Sequence, residues 1–231
     1  MLFEAVIFDL DGTLIISKVD YGEMRRRVSR ILIDAGVPGD LLTSSLRIWE
    51  IISAGEGVLR GEGMPDGEWM QLIERINQEL NDVELAALET VMPAPHAEEA
   101  LRRLKGMELL VGVATRSCRA YADKSLELTG LRGFVDALVA RDDVEHPKPD
   151  PRHLLKAVEA LGSSPDRVIY VGDTTTDFKT AIDAGINFVG YVGNEEWGRR
   201  LREAGCQLLI DDLRDVIKIV AGRGRPLGRG S

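Results

Sequence analysis

Between residues 95 and 210 short apolar runs alternate with stretches of helical period, and that order leaves few folds open to the chain. Residues 97–105 read as helix, Leu109-Leu110-Val111-Gly112-Val113-Ala114 as a strand, 119–128 as helix and 134–139 as strand. Asp150-Pro151 then places an N-cap and a first-turn proline ahead of Leu154, Leu155, Val158 and Leu161 at helical spacing. Val168-Ile169-Tyr170-Val171 is the next strand, followed by a helix ending at Ala184-Gly185, a strand over 188–192, a helix over 195–204 and a strand over 206–210. Strands this short and this continuously apolar are buried on both faces, which calls for a parallel sheet with helices on either side. The pattern predicts an α/β fold with a doubly wound parallel sheet.

The first strand of that sheet is expected far upstream, at Val6-Ile7-Phe8, which ends in Asp9-Leu10-Asp11-Gly12-Thr13-Leu14. In an extended backbone residues two apart share a side, so Asp9 and Asp11 are expected to face a common region while Leu10 points into the core. Between this strand and Pro93 the period is helical. Tyr21, Met24, Val28, Ile31 and Leu32 form one face, and Leu42, Leu46, Trp49 and Ile52 suggest a second helix, broken by the glycine-rich stretch 55–67. Asp66 is a candidate cap for a third, carrying Trp69, Leu72, Ile73, Ile76 and Leu80. The expected organisation is an α/β core from 1–16 and 92–221, an inserted all-helical domain at 17–91, and a disordered basic tail at 222–231. Arg223-Gly224-Arg225-Pro226 in that tail resembles the core of a minor-groove AT-hook.

A net charge of −9 argues against nucleic acid as the main partner, because binding a phosphate backbone needs a basic face. A small phosphorylated substrate needs only a local cation. No apolar stretch approaches a membrane span, and no leader pattern precedes the first strand, so a cytoplasmic location is expected and no membrane partner. Cys118 and Cys206 match no metal or redox spacing and read as buried small apolar residues. Oligomeric state is not legible.

Ligands of an open α/β sheet bind beyond the carboxyl ends of the strands, so the informative residues are those just after each strand. They are Asp9 and Asp11, then Thr115 with Arg116 and Ser117, then Lys148 in His146-Pro147-Lys148-Pro149-Asp150-Pro151, then Gly172, Asp173 and Thr174, with Asp177 one helical turn on. Each alone suits a cap or a loop. Together they gather four carboxylates and one lysine at one rim. Two bare charges about 4 Å apart repel by roughly 4 kcal/mol at an effective dielectric near 20, so a further positive charge is expected there. All-oxygen ligands beside small hydroxyls suit Mg²⁺, usually completed by a substrate phosphate.

The spaced combination of Asp9-x-Asp11-Gly12-Thr13, a strand ending in Thr115, Lys148-Pro149-Asp150-Pro151 and Gly172-Asp173-x-x-x-Asp177 resembles the haloacid dehalogenase-like superfamily of phosphatases, whose core is Rossmann-like and which carry a helical cap after the first motif. The resemblance implies Asp9 as nucleophile forming an aspartyl-phosphate and Asp11 as the acid that protonates the leaving oxygen and then activates water. It implies Thr115 as a phosphoryl hydrogen-bond donor and Lys148 as the neutralising cation. Mg²⁺ is then held by Asp9, the Asp11 carbonyl and Asp173, with Asp177 acting through water. Cap position and length resemble the phosphoglycolate-phosphatase-like branch, which implies a small phosphorylated metabolite as substrate.

Asp11 argues against dehalogenation, because dehalogenases of the superfamily lack it. Phosphomutases retain it and stay open, and the acidic residue usual shortly after Gly-Thr-Leu is replaced here by Ile15-Ile16-Ser17. A phospho-receiver or binding module also uses acids, Thr and Lys around Mg²⁺, but needs no inserted helical domain. No Gly-x-x-x-x-Gly-Lys occurs, which excludes a P-loop NTPase; the run from Gly55 to Gly61 imitates a nucleotide loop but lies between predicted helices. Arg47, Arg60 and Arg116 are candidates for a second substrate anion, while His96, His146 and His153 show no catalytic or metal spacing and read as structural.

Overall fold

The computed structural model describes residues 3–222. Two compact units emerge: one from the described residues up to Ser17 and from Thr90 onward, the other from Lys18–Glu89. The basic tail read at 222–231 lies, from residue 223 on, outside the described residues.

In chain order the first unit begins with β1 (Ala5–Phe8) and β2 (Ile15–Ile16). The second unit contributes α1 (Tyr21–Asp34), α2 (Ile48–Gly61) and α3 (Asp66–Ala86). The first resumes with β3 (Met92–Pro93), α4 (Ala97–Gly106), β4 (Leu110–Ala114), α5 (Arg119–Leu128), β5 (Ala137–Val139) and α6 (Pro151–Ala160). It closes with β6 (Val168–Gly172), α7 (Thr175–Asp183), β7 (Asn187–Tyr191), α8 (Glu195–Glu203), β8 (Leu209–Ile210) and α9 (Asp215–Val220).

Six strands form one parallel sheet in the order β5-β4-β1-β6-β7-β8. The chain builds outward from β1 in one direction through β4 and β5, then returns to its other side for β6, β7 and β8. β1 therefore lies at the reversal of strand order, where this architecture opens a crevice at the carboxyl ends. All of Ala5, Val6, Ile7 and Phe8 are fully buried, as continuous apolar strands covered on both faces must be. Leu154, Ala157, Val158 and Leu161 of α6 and its C-cap pack on one face of the sheet with Tyr170 and Phe188.

Helix boundaries follow local chemistry closely. Asp150 caps α6 by accepting from the Arg152 N–H at 2.9 Å, with Pro151 in the first turn. The strand expected over 134–139 is shorter, because residues 132–134 form a 3₁₀ turn and pairing begins at Ala137. The strand expected over 206–210 pairs only at Leu209 and Ile210. The β2–β3 ribbon and α9 have no counterpart in the sequence reading, two paired residues being too few for a periodic signal.

In the helical unit, α1 packs against α2 and α3 through Met24, Val28, Ile31 and Leu32 on one side, and Ile51, Leu59, Trp69, Ile76 and Leu80 on the other. The second helix does not start at Leu42, and the glycine stretch does not break it. α2 runs through Gly55 and Gly57 to Gly61. A Cβ on Gly55 would stand 2.7 Å from Leu32 Cδ2, so this glycine lets the α1 and α2 backbones approach, at a helix-propensity cost of about 1 kcal/mol. The nucleotide-loop imitation from Gly55 to Gly61 is thus helical. Among the described residues no helix is long and apolar enough to cross a membrane.

Candidate active site

Asp9 is carried one residue past β1, where its N–H still donates to Val171 O of β6 at 2.8 Å. The chain then coils tightly: Leu10 O accepts from the N–H groups of Thr13, Leu14 and Ile15, and Gly12 turns at φ +85°. That φ favours glycine, and the space demands it, since a Cβ there would stand 2.4 Å from Asp173 Oδ2. On the far side of β1, β6 ends at Gly172, where a Cβ would meet Asp177 Cβ at 2.6 Å. Gly12 thus lets the first acidic loop close on the last, and Gly172 lets the last fold back on the end of its own strand.

Asp177 belongs to a capping box at the start of α7. Thr174 Oγ1 accepts from the Asp177 N–H at 3.2 Å, and Asp177 Oδ2 accepts from the Thr174 N–H at 3.1 Å. Local sequence therefore fixes the carboxylate. Its other oxygen, Oδ1, accepts from Lys148 Nζ at 2.7 Å and from Tyr170 Oη at 2.6 Å.

Lys148 is 2% exposed, and its ammonium donates to Asp9 Oδ1 at 2.6 Å, Tyr170 Oη at 2.7 Å and Asp177 Oδ1. An ammonium has three protons, so three acceptors complete it. Burial alone would lower its pKa, but the carboxylates of Asp177 and Asp9 outweigh burial and raise it, so Lys148 stays charged. Asp177 is driven the other way. Burial opposes its ionisation, yet Lys148 and the Thr174 and Tyr170 hydroxyls hold its carboxyl below the ordinary value.

One lysine cannot satisfy three acids. Oxygens of Asp9, Asp173 and Asp177 lie within 4.8 Å of one another. Burial, only partly offset by Lys148, pushes the Asp9 carboxyl up to about 7, and burial with repulsion from Asp9 and Asp177 raises Asp173 well above the ordinary value. A cluster of hard oxygen donors with more negative charge than the chain can neutralise fits a divalent cation such as Mg²⁺.

The second expected acid faces a different set of partners. Asp11 Oδ1 accepts from Ser17 Oγ and Tyr121 Oη, each at 2.8 Å, and Oδ2 from Ser117 Oγ at 3.0 Å. Its carboxylate is outside the three-acid cluster. Thr115, 2% exposed, lies just beyond β4; its N–H donates to Val139 O at 3.0 Å, and its Oγ1 accepts from the Ser117 N–H at 3.1 Å. The structure thus joins Asp9, Lys148, Asp173 and Asp177 in one knot and surrounds Asp11 with hydroxyls. Tyr121 and Tyr170 were legible only as a helix and a strand residue, because nothing local marks a buried aromatic whose hydroxyl reaches an acid. Of the three arginines, Arg60 is engaged with Glu56 and Asp66, Arg116 offers its carbonyl to Arg141, and Arg47 precedes α2 with its N–H on Glu50.

A doubly wound parallel sheet with three buried acids and a lysine at one rim defines an α/β protein with a candidate cation and phosphate site, and sequence comparison resolves the family. Residues 50–191, more than half of the chain, match the model of the haloacid dehalogenase-like hydrolases. The chain belongs to that family. It is 28% identical over 221 residues to the pyrophosphatase PpaX of Bacillus velezensis, covering 93% of this chain and 95% of that one. With a phosphoglycolate phosphatase of Pseudomonas putida it shares 27% over 217 residues, 92% of this chain and 78% of that one. A hydrolase structure from Pseudomonas syringae superposes with a TM-score of 0.63 at 24% identity, covering 96% and 100% of the two chains, and shares the fold.

Proposed function

We propose that the protein is a Mg²⁺-dependent phosphatase of the cytoplasm that hydrolyses a small phosphate monoester, of the phosphoglycolate type, through an aspartyl-phosphate on Asp9. The observation that carries this reading is the buried contact of Lys148 with Asp9 and Asp177, beside Asp173 and at the switch point of the sheet. Of the named relatives, the phosphoglycolate phosphatase supports a small monoester, and the pyrophosphatase supports hydrolysis of a small phosphate compound more broadly.

In this mechanism an Asp9 carboxylate oxygen attacks phosphorus, forming the Asp9 O–P bond as the ester P–O bond breaks. Asp11 gives its proton to the leaving oxygen, then takes one from the water that attacks phosphorus and releases phosphate from Asp9. Lys148 offsets charge on Asp9 and the transferring group, and Thr115 orients the phosphoryl oxygens. Asp9, Asp173 and the Asp11 carbonyl would hold Mg²⁺; both oxygens of Asp177 already accept from protein donors, so it contributes chiefly charge. The bound ion supplies positive charge for the phosphoryl oxygens. The helical unit at Lys18–Glu89 would serve as the cap on which substrate choice depends.

A panel including phosphoglycolate, pyrophosphate and p-nitrophenyl phosphate, assayed with Mg²⁺ and with EDTA, tests the reading. Turnover that requires Mg²⁺, with acid-stable, hydroxylamine-labile label on Asp9, is expected. Turnover equal in EDTA, or release of phosphate without label on Asp9 in a rapid quench, would refute it.

A further inference from the structure

His153 is fully buried in the first turn of α6, and both of its ring nitrogens are engaged. The main-chain N–H of Lys148 donates to Nδ1 at 3.0 Å. Because an N–H can only donate, Nδ1 must be unprotonated, so the neutral ring carries its proton on Nε2. That atom lies 3.2 Å from Val139 O, a carbonyl that can only accept, and Nε2–H donates to it. The same carbonyl receives the Thr115 N–H at 3.0 Å.

We infer that His153 is a positioning residue for the reaction: its Nδ1 anchors the backbone of Lys148, while its Nε2–H, on the carbonyl that also holds Thr115, fixes the tautomer that this anchor needs. The inference rests on the phosphatase reading, in which Lys148 and Thr115 share the transferring phosphoryl group. They arrive on different loops, 33 residues apart in number, after strands β4 and β5. The Lys148 loop contains three prolines, Pro147, Pro149 and Pro151, which supply no N–H, so few main-chain donors remain to anchor it. His153 receives one of these. Burial, and then the neighbouring Lys148 charge, lower its pKa to about 4, so the ring is neutral throughout the working range and the tautomer is set by its two partners. Acid–base chemistry by the ring is excluded by the same contacts, since neither nitrogen is directed at a reacting atom.

The test separates the two hydrogen bonds. In His153→Asn the side-chain oxygen takes the place of Nδ1 and still accepts from Lys148. His153→Gln reaches Val139 O but offers Lys148 nothing, and His153→Phe keeps the ring without either polar atom. Kinetics on p-nitrophenyl phosphate with Mg²⁺, alongside thermal melting, are expected to show kcat in His153→Phe and His153→Gln reduced roughly 10- to 100-fold, with KM little changed. His153→Asn should recover most of kcat without recovering Tm. A folded His153→Gln with wild-type kcat, or equal loss of kcat in Asn and Gln variants, overturns the inference; the second pattern marks a merely structural side chain. Lys148→Ala serves as the control for the underlying reading. Wild-type turnover lost in Lys148→Ala but indifferent to His153 refutes this inference alone, whereas full turnover in Lys148→Ala refutes the part given to Lys148 in the proposed mechanism, and this inference with it.

Discussion

Replacing Lys148 with methionine removes the cation and keeps an unbranched chain of similar length in its buried channel. At an effective dielectric near 20, the contacts at 2.6 Å to Asp9 and 2.7 Å to Asp177 are each worth roughly 6 kcal/mol of attraction, before several kcal/mol of ammonium desolvation are subtracted. Breaking a buried pair while leaving its acids behind costs about 3–5 kcal/mol, which for a chain of this size lowers Tm by roughly 6–20 °C. That cost should depend on conditions in a specific way. At pH 8 without metal, Asp9, Asp173 and Asp177 crowd together with no counter-charge, and the loss is greatest. At pH 5.5 Asp9 and Asp173, whose carboxyls are already raised, take up protons and the loss shrinks. Added Mg²⁺ should therefore raise the Tm of Lys148→Met more than that of the wild type. Thermal melts at both pH values, in EDTA and in Mg²⁺, read all four cases. A variant that melts within about a degree of wild type at pH 8 in EDTA would refute the reasoning, because the acids would then not need the lysine.

Asp9→Asn should abolish turnover while leaving the melt unchanged or higher, since it removes one of three crowded charges; residual turnover near the wild-type rate would sink the nucleophile assignment. Asp11→Asn is expected to accumulate phosphoenzyme that decays slowly, read by rapid quench; unchanged steady-state hydrolysis would count against its acid/base role. Gly12→Ala should cost about 1–3 kcal/mol for its positive φ and, by pressing on Asp173, weaken Mg²⁺ binding in calorimetry, whereas wild-type affinity would argue against the close approach. In metal-free wild type, Asp9 has a folded pKa near 7 against an ordinary 3.8, so the folded state holds a proton that the unfolded chain has lost. Its contribution is present below the ordinary value and lost as pH rises towards 7, and Mg²⁺ binding should release protons across that window. A Mg²⁺-induced Tm gain that is flat between pH 5 and 8 would contradict this.

Much of the core was legible because its signals are local. Continuous apolar strands, the Asp150-Pro151 start and the helix at Arg119–Leu128 depend on residues within a few positions of one another. The glycine stretch misled for the complementary reason. Gly55 is a helix breaker by propensity, and only the nearness of Leu32, 23 positions away, explains why a glycine suits the middle of α2. Asp9, Thr115 and Asp173 could be listed from their places directly after strands, because in a parallel sheet every strand delivers its last residue to the same rim, whereas Lys148 and Asp177 lie further along the loop and helix that follow.

Sequence alone thus determined the fold class and which side chains follow the strands, since strand period and the alternation of strands with helices are properties of neighbouring residues. Tertiary structure alone decided how those side chains share charge: that Lys148 is completed by Tyr170 as well as two acids, that hydroxyls from Ser17, Ser117 and Tyr121 surround Asp11, and that His153 joins the Lys148 loop to Val139. The contacts of Lys148 with Tyr170, of Asp11 with Ser117 and Tyr121, and of His153 with Val139 link segments far apart in sequence, and their strength depends on burial that no single segment can create.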